Sequence, residues 1–200
     1  MKVVVGKSRI VRGGVLCALV LAAEMPVTAS HAATPAGPVF TAGSGEIGAD
    51  YSVARFDSDL TDDRGDRYAL RGGRFLGPRI QWEAELTRAT VREELFPGAE
   101  KRVTLDIAVA NVVVNFDAGG RTVPYLLAGI GVGQMKLEAI GLSSRETATA
   151  YQIAGGSRFF FGGRGRVAAR IELALLANEG FEERFVHAAL GAGLTFRIGT

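Results

Sequence analysis

Cysteine is almost missing from this chain: Cys17 is the only one in 200 residues. One thiol cannot form a disulfide within a single copy. Histidine is nearly as scarce, at His31 and His187, which leaves no credible set of ligands for zinc. Beyond the first thirty residues there is no run of the roughly 18 apolar residues that a membrane-spanning helix requires. Helix is itself disfavoured, because many of the 27 glycines lie inside apolar stretches. Each glycine in a helix interior costs about 1 kcal/mol relative to alanine.

What is present begins with a leader. Lys2, Lys7, Arg9 and Arg12 precede the apolar run Gly13–Ala23, and small residues follow at Ser30-His31-Ala32, with Val27-Thr28-Ala29 as a second candidate site. A basic start, a short apolar centre and a small-residue site are the marks of a secretory signal. The apolar run is too short to span a bilayer. The expected division is therefore a cleavable signal peptide over 1–32 and one domain over 33–200. Cleavage would remove Lys2, Lys7, Arg9, Arg12 and Glu24 from 23 basic and 21 acidic residues, leaving 19 against 20. The basic character of the whole chain thus belongs to the leader and gives no support for a nucleic-acid partner. Cys17 leaves with it, so no thiol nucleophile is expected in the mature protein.

The rest of the chain alternates in period two, the pattern of strands with unlike faces. Eight such stretches are predicted, at about 40–55, 67–76, 79–91, 103–116, 122–137, 147–161, 166–177 and 184–198. The third is the clearest: Ile80, Trp82, Ala84 and Leu86 alternate with Gln81, Glu83, Glu85 and Thr87. Breaks near 77–78, 117–120 and 162–164 are short. Those near 56–66, 92–102, 138–146 and 178–183 are longer and polar. Short turns alternating with longer loops, joining an even number of strands, is the pattern of an outer-membrane barrel. A closed barrel pairs every backbone polar group internally, as hydrocarbon demands.

Such a barrel turns its apolar face to lipid, here Ile80, Trp82, Leu86, Ile171 and Leu173. The other parity is too charged for a soluble barrel's apolar interior. Glu46, Arg71, Glu83, Glu85, Asp106, Arg158, Arg170, Glu172 and Arg197 are therefore expected in the lumen, joined as a network of ion pairs that plugs it. Gly129, Gly131 and Gly133 are expected to make room there for long arginines.

Phe75-Leu76-Gly77-Pro78-Arg79, Val112-Val113-Val114-Asn115-Phe116, the run Pro124 to Gly131, and Tyr151-Gln152-Ile153-Ala154-Gly155-Gly156 resemble the small outer-membrane β-barrel domain family, which includes OmpA-type and OmpX-type barrels. The resemblance covers nearly the whole mature chain. It implies an all-β, closed eight-stranded antiparallel meander in the outer membrane of a Gram-negative bacterium. Implied partners are the lipid bilayer, lipopolysaccharide and the outer-membrane assembly machinery.

Other chemistry is weakly represented. Asp57, Asp59, Thr61 and Asp63 alternate like calcium-loop ligands. The required glycine and glutamate are replaced by Asp62 and Tyr68, so the loop reads as a solvated outer connection. His187 shares the lumen parity with Gly191 and Thr195. A hydrolase would need a serine such as Ser143 or Ser144 to reach it. The glycine-rich segments lack the strand-to-helix setting and lysine-serine pair of a phosphate loop. No metal, cofactor or catalytic residue is expected. The expected function is structural or surface-interacting, with a narrow solute channel and a lipid A-modifying enzyme as alternatives.

Overall fold

In the computed structural model, residues 40–57, 64–116, 119–161, 165–180 and 183–199 are described. They form eight strands: β1 (Gly45–Arg55), β2 (Arg64–Phe75), β3 (Ile80–Phe96), β4 (Ala99–Asn115), β5 (Thr122–Ala139), β6 (Leu142–Phe161), β7 (Val167–Gly180) and β8 (Glu183–Ile198). Each pairs antiparallel with the next, and β1 pairs with β8 from Gly45↔Ile198 to Arg55↔Ala188, closing the barrel. The expected fold class, an eight-stranded antiparallel barrel, is what the chain adopts.

Two of the four long polar breaks are strand rather than loop. β3 and β4 continue to a turn at Pro97-Gly98, with Phe96 paired to Ala99 and Gly98 at φ 86°. Proline and then a positive-φ glycine is the order a type II turn favours. β5 and β6 continue to Ile140-Gly141, both at positive φ (49° and 75°), between the paired Ala139 and Leu142. Two central residues of positive φ make the type I′ turn whose twist suits a hairpin. The break near 178–183 shrinks to residues 181–182, outside the described residues, as are the calcium-like positions 59, 61 and 63. The first strand is shorter than expected. Gly43 turns the chain at φ 89°, and Phe40 folds back across the barrel mouth instead of continuing β1.

The wall is consequently uneven. β3 to β6 run 17, 17, 18 and 20 residues against 11 and 12 for β1 and β2. The outward residues form an apolar belt nearest the short turns: Ile80 to Leu86 on β3, Val114 to Ala108 on β4, and Leu126 to Val132 on β5. Above it the same face turns polar at Arg88, Asp106 and Gln134, which lie in adjacent register. Inside, the sense is opposite. At belt level the lumen is charged; above it the lumen holds Val91, Val103, Leu105 and Met135.

Candidate functional site: a charged layer inside the barrel

The ionic layer and its hydrogen-bond partners grow from the inward parity of seven strands, β1 to β7. Arg71 on β2 is its centre. Its guanidinium pairs with Asp50 at 2.5 Å, Glu83 at 3.1 Å, Glu85 at 3.0 Å and Glu172 at 2.6 Å. Arg170 on β7 meets Glu83 at 2.9 Å and Glu172 at 2.7 Å, and donates from Nε to the Tyr125 hydroxyl at 2.6 Å. Tyr125 in turn donates to Glu172 at 2.7 Å. The guanidiniums of Arg158 and Arg170 stand 4.7 and 4.5 Å from the centre of the Tyr125 ring, so the ring's electron-rich faces meet cations. Arg67 holds Glu85 at 2.5 Å. Arg158 lies 3.1 Å from Glu46 and donates to Asn115 and Gln81 at 2.6 and 3.0 Å.

These groups are deeply buried; Arg158 and Arg170 are wholly inaccessible. Buried charge is tolerable only when paired and hydrogen-bonded; the arginine forks supply both to Glu83, Glu85 and Glu172, whereas Glu46 is paired with Arg158 without a hydrogen bond among the described residues. Two glycines give the layer its room. A side chain at Gly156 would collide with the Tyr125 hydroxyl, and one at Gly193 with the Asp50 carboxylate. The expectation that Gly129, Gly131 and Gly133 accommodate arginines is corrected. Gly129 lies against Asn111, Gly131 against the β4 backbone, and Gly133 nearest Ala150 and Ile107. Close strand approach, rather than arginine space, is what Gly129 and Gly131 serve, while Gly133 has only ordinary contacts.

Of the expected lumen charges, Glu46, Arg71, Glu83, Glu85, Arg158, Arg170 and Glu172 come together in this layer. Arg197 sits apart at the mouth, its guanidinium 5.2 Å from the Phe40 ring centre. Asp106 is corrected: it faces outward, paired with exposed Arg88 at 2.6 Å. The inward set of β4 is odd-numbered, from Val103 to Asn115, so an even-numbered carboxylate falls on the other face. Ile80, Trp82, Leu86, Ile171 and Leu173 are exposed on the outer face. Sequence reasoning missed Asp50, Arg67 and Tyr125. Asp50 shares parity with Glu46, and Arg67 with Arg71, so counting by twos would have found both. Tyr125 stands among apolar neighbours and carries no such signal.

Apolar packing flanks the layer at both ends. At the short-turn mouth, Phe40 stacks on Phe75 with ring centres 4.5 Å apart and meets Phe160 edge-on at 5.6 Å, with Val123 and Ala168 beside them. On the other side, Phe56, Val91, Val103, Leu105, Ile107 and Phe185 belong to a larger apolar cluster. His187 lies at its edge, buried against Phe56. Its Nδ1 accepts from the Asp57 backbone N–H at 3.2 Å, and its Nε2 lies 2.9 Å from Asn178 Oδ1. These contacts fix the neutral Nε2–H tautomer. Ser143 and Ser144 are at the far end of β6, in the hairpin beyond the rim.

The family model for the outer membrane protein β-barrel domain matches residues 15–197. No curated protein sequence matches. Among solved structures, the chain is similar to Neisserial surface protein A (16% identity, 77% of this chain and 98% of that one, TM-score 0.63). It is also similar to Ail, the attachment invasion locus protein of Yersinia pestis, in complex with the heparin analogue sucrose octasulfate (17%, 78% and 100%, 0.55). A third is the N-terminal β-barrel domain of Pseudomonas aeruginosa OprF (21%, 78% and 98%, 0.50). At these identities the likeness is one of fold.

Proposed function

The chain belongs to the outer membrane protein β-barrel domain family, and from that premise we propose that it is a sealed, non-conducting barrel whose work lies on its outer surface. The supporting observation is the layered lumen: an ionic network between two apolar packings. A pore needs a continuous polar path, and here any such path would have to cross the Phe40-Phe75-Phe160 stack and the Val91-Val103-Leu105 cluster. With its core devoted to holding the wall together, the protein offers its surroundings the outer wall and the raised β3–β6 hairpins.

In this reading residues 1–32 are the export signal, the assembly machinery inserts the mature chain from Ala33, and the apolar belt meets the bilayer beside lipopolysaccharide. Both ring nitrogens of His187 are engaged, by the Asp57 backbone N–H and by Asn178 Oδ1, an arrangement that serves packing at the cluster's edge. Planar-bilayer recording of the purified barrel is the test. The expected result is no steady conductance above the bare bilayer. A stable, ion-selective conductance would overturn the sealed reading in favour of a narrow solute channel.

A further inference from the structure

Each of the three short turns ends on an arginine, and the three are placed alike. Arg79 precedes β3, Arg121 precedes β5 and Arg166 precedes β7. The carbonyl of each accepts a backbone N–H at 2.8 Å from an inward residue of the next strand round: Asn115, Phe160 and Arg197 respectively. Arg79 lies two residues before Gln81, Arg121 two before Val123 and Arg166 two before Ala168, all wholly buried inside the barrel. The arginines thus continue the inward parity past the end of the wall, and they are exposed at its mouth. None of their guanidiniums meets a carboxylate among the described residues. Glu46, the acid of inward parity at this end, is buried and already paired with Arg158 at 3.1 Å. Asp117 and Arg164, in the same turns, lie outside the described residues. Arg197 adds a fourth cation, over the Phe40 ring.

On the outside the same level is apolar. Ile80, Phe116, Phe161 and Ile198 are exposed there on the outward parity. The outward cation at this level, Arg74, donates to the Gly43 carbonyl at 3.2 Å. Cations on the inner parity and apolar side chains on the outer put the charge over the mouth rather than against lipid. Phe40 floors the mouth, with Thr41 and Ala42 exposed beside it. β3, β5 and β7 are two strands apart, which separates neighbouring arginines by about 10 Å round the rim. One small anion does not bridge that gap. Carboxylates three or four positions apart in an extended peptide, at about 3.3 Å per residue, do. Guanidinium forks match carboxylates two hydrogen bonds at a time. We infer that this arginine-ringed mouth docks an acidic peptide segment of a periplasmic protein, its carboxylates taken by Arg79, Arg121 and Arg166. The inference rests on the membrane-embedded reading above, which sets the short turns on the periplasmic side, and it adds a partner on the face opposite the raised hairpins.

The test uses the mature barrel in phosphatidylcholine nanodiscs and fluorescence anisotropy at low salt. The probe is a short labelled glycine-serine peptide carrying glutamate at every third position; its control carries glutamine instead. Wild type is expected to bind the glutamate probe about ten-fold tighter or more than the control, each exposed ion pair adding up to about five-fold. Arg79→Gln, Arg121→Gln and Arg166→Gln together should remove most of that preference, and each alone should lower it about two- to four-fold. Arg92→Gln with Arg145→Gln, at the opposite end of the barrel, should leave it unchanged. Equal affinity for the two probes, an undiminished preference in the triple variant, or an equal loss in the Arg92 and Arg145 variant would overturn the proposal. So would complete loss of probe binding when phosphatidylglycerol is added to the nanodisc, which would assign the arginines to lipid headgroups. Tighter binding of a galacturonate oligomer of equal charge would assign them to an acidic glycan and overturn it too. The substitutions leave the backbone carbonyls in place, and heat-modifiable gel mobility checks that each barrel folds; the single variants keep a readout if the triple variant does not. Conductance by the wild type would sink the sealed reading and leave this affinity standing; absence of the affinity without conductance would sink the docking surface alone.

Discussion

At the scale of single residues, the lumen depends on buried charges that share their partners. Arg170 answers both Glu83 and Glu172 and supports the Tyr125 hydroxyl. Arg170→Ala removes one of the cations that Glu83 and Glu172 share, leaving both to Arg71, with Arg158 3.8 Å from Glu83. The expected cost is about 3–5 kcal/mol, the range for breaking one side of a buried pair, measured by equilibrium urea unfolding from lipid vesicles. Replacing Arg170 and Glu83 together by methionine and glutamine should cost clearly less than Arg170→Ala, because a well-packed neutral pair leaves no stranded charge. The outward Arg88–Asp106 pair is a different object. Both side chains are exposed, and Asp106→Asn should leave the unfolding midpoint nearly unchanged.

At the scale of elements, the hairpins and the belt make separate demands. Ile140 holds φ 49° at an exposed turn tip, a conformation that a β-branched residue adopts against its own sterics. Ile140→Gly should therefore stabilise the barrel by about 1 kcal/mol, the relief of a left-handed L-residue, read in the same unfolding assay. Ile171, exposed on the outer face of β7, should behave oppositely: Ile171→Arg is expected to cost about 2–4 kcal/mol if that face lies at mid-bilayer. Quenching of Trp82 fluorescence by brominated lipid checks the same assignment from β3.

Strand number, order and the inward parity of Glu83, Glu85, Arg170 and Glu172 were legible in sequence because hydrocarbon forces a strict alternation. The hairpin extensions and Asp106 were not, and β4 shows why. Near the short turns its outward residues are Val112 and Val114, with Asn111 and Asn115 inside. Further up, Thr104 and Asp106 are outward, with Val103, Leu105 and Ile107 inside. Alternation persists but its sense reverses where the belt ends. Reading one sense throughout sends Asp106 to the wrong face and turns the polar outer surface of a strand into a loop.

At the scale of the whole molecule, the chain joins two kinds of barrel along common strands. One is apolar outside and ionic within; the other is polar outside and apolar within, as a soluble barrel is. The apolar packings at the two ends of the ionic layer have a consequence for its response to dissolved salt. Screening needs mobile ions within about a Debye length of the charges, with a free path to them. On the sealed reading, the phenylalanine stack below and the aliphatic cluster above deny that path, and sodium and chloride do not gather around Arg71 or Glu83. The layer should accordingly hold its full strength from about 0.01 M to 1 M salt, ionic strengths between which the Debye length falls from roughly 30 to 3 Å. The barrel's unfolding midpoint should stay level across that range, whereas cutting Phe40 to alanine should open the lower end and make the same midpoint fall as salt is added.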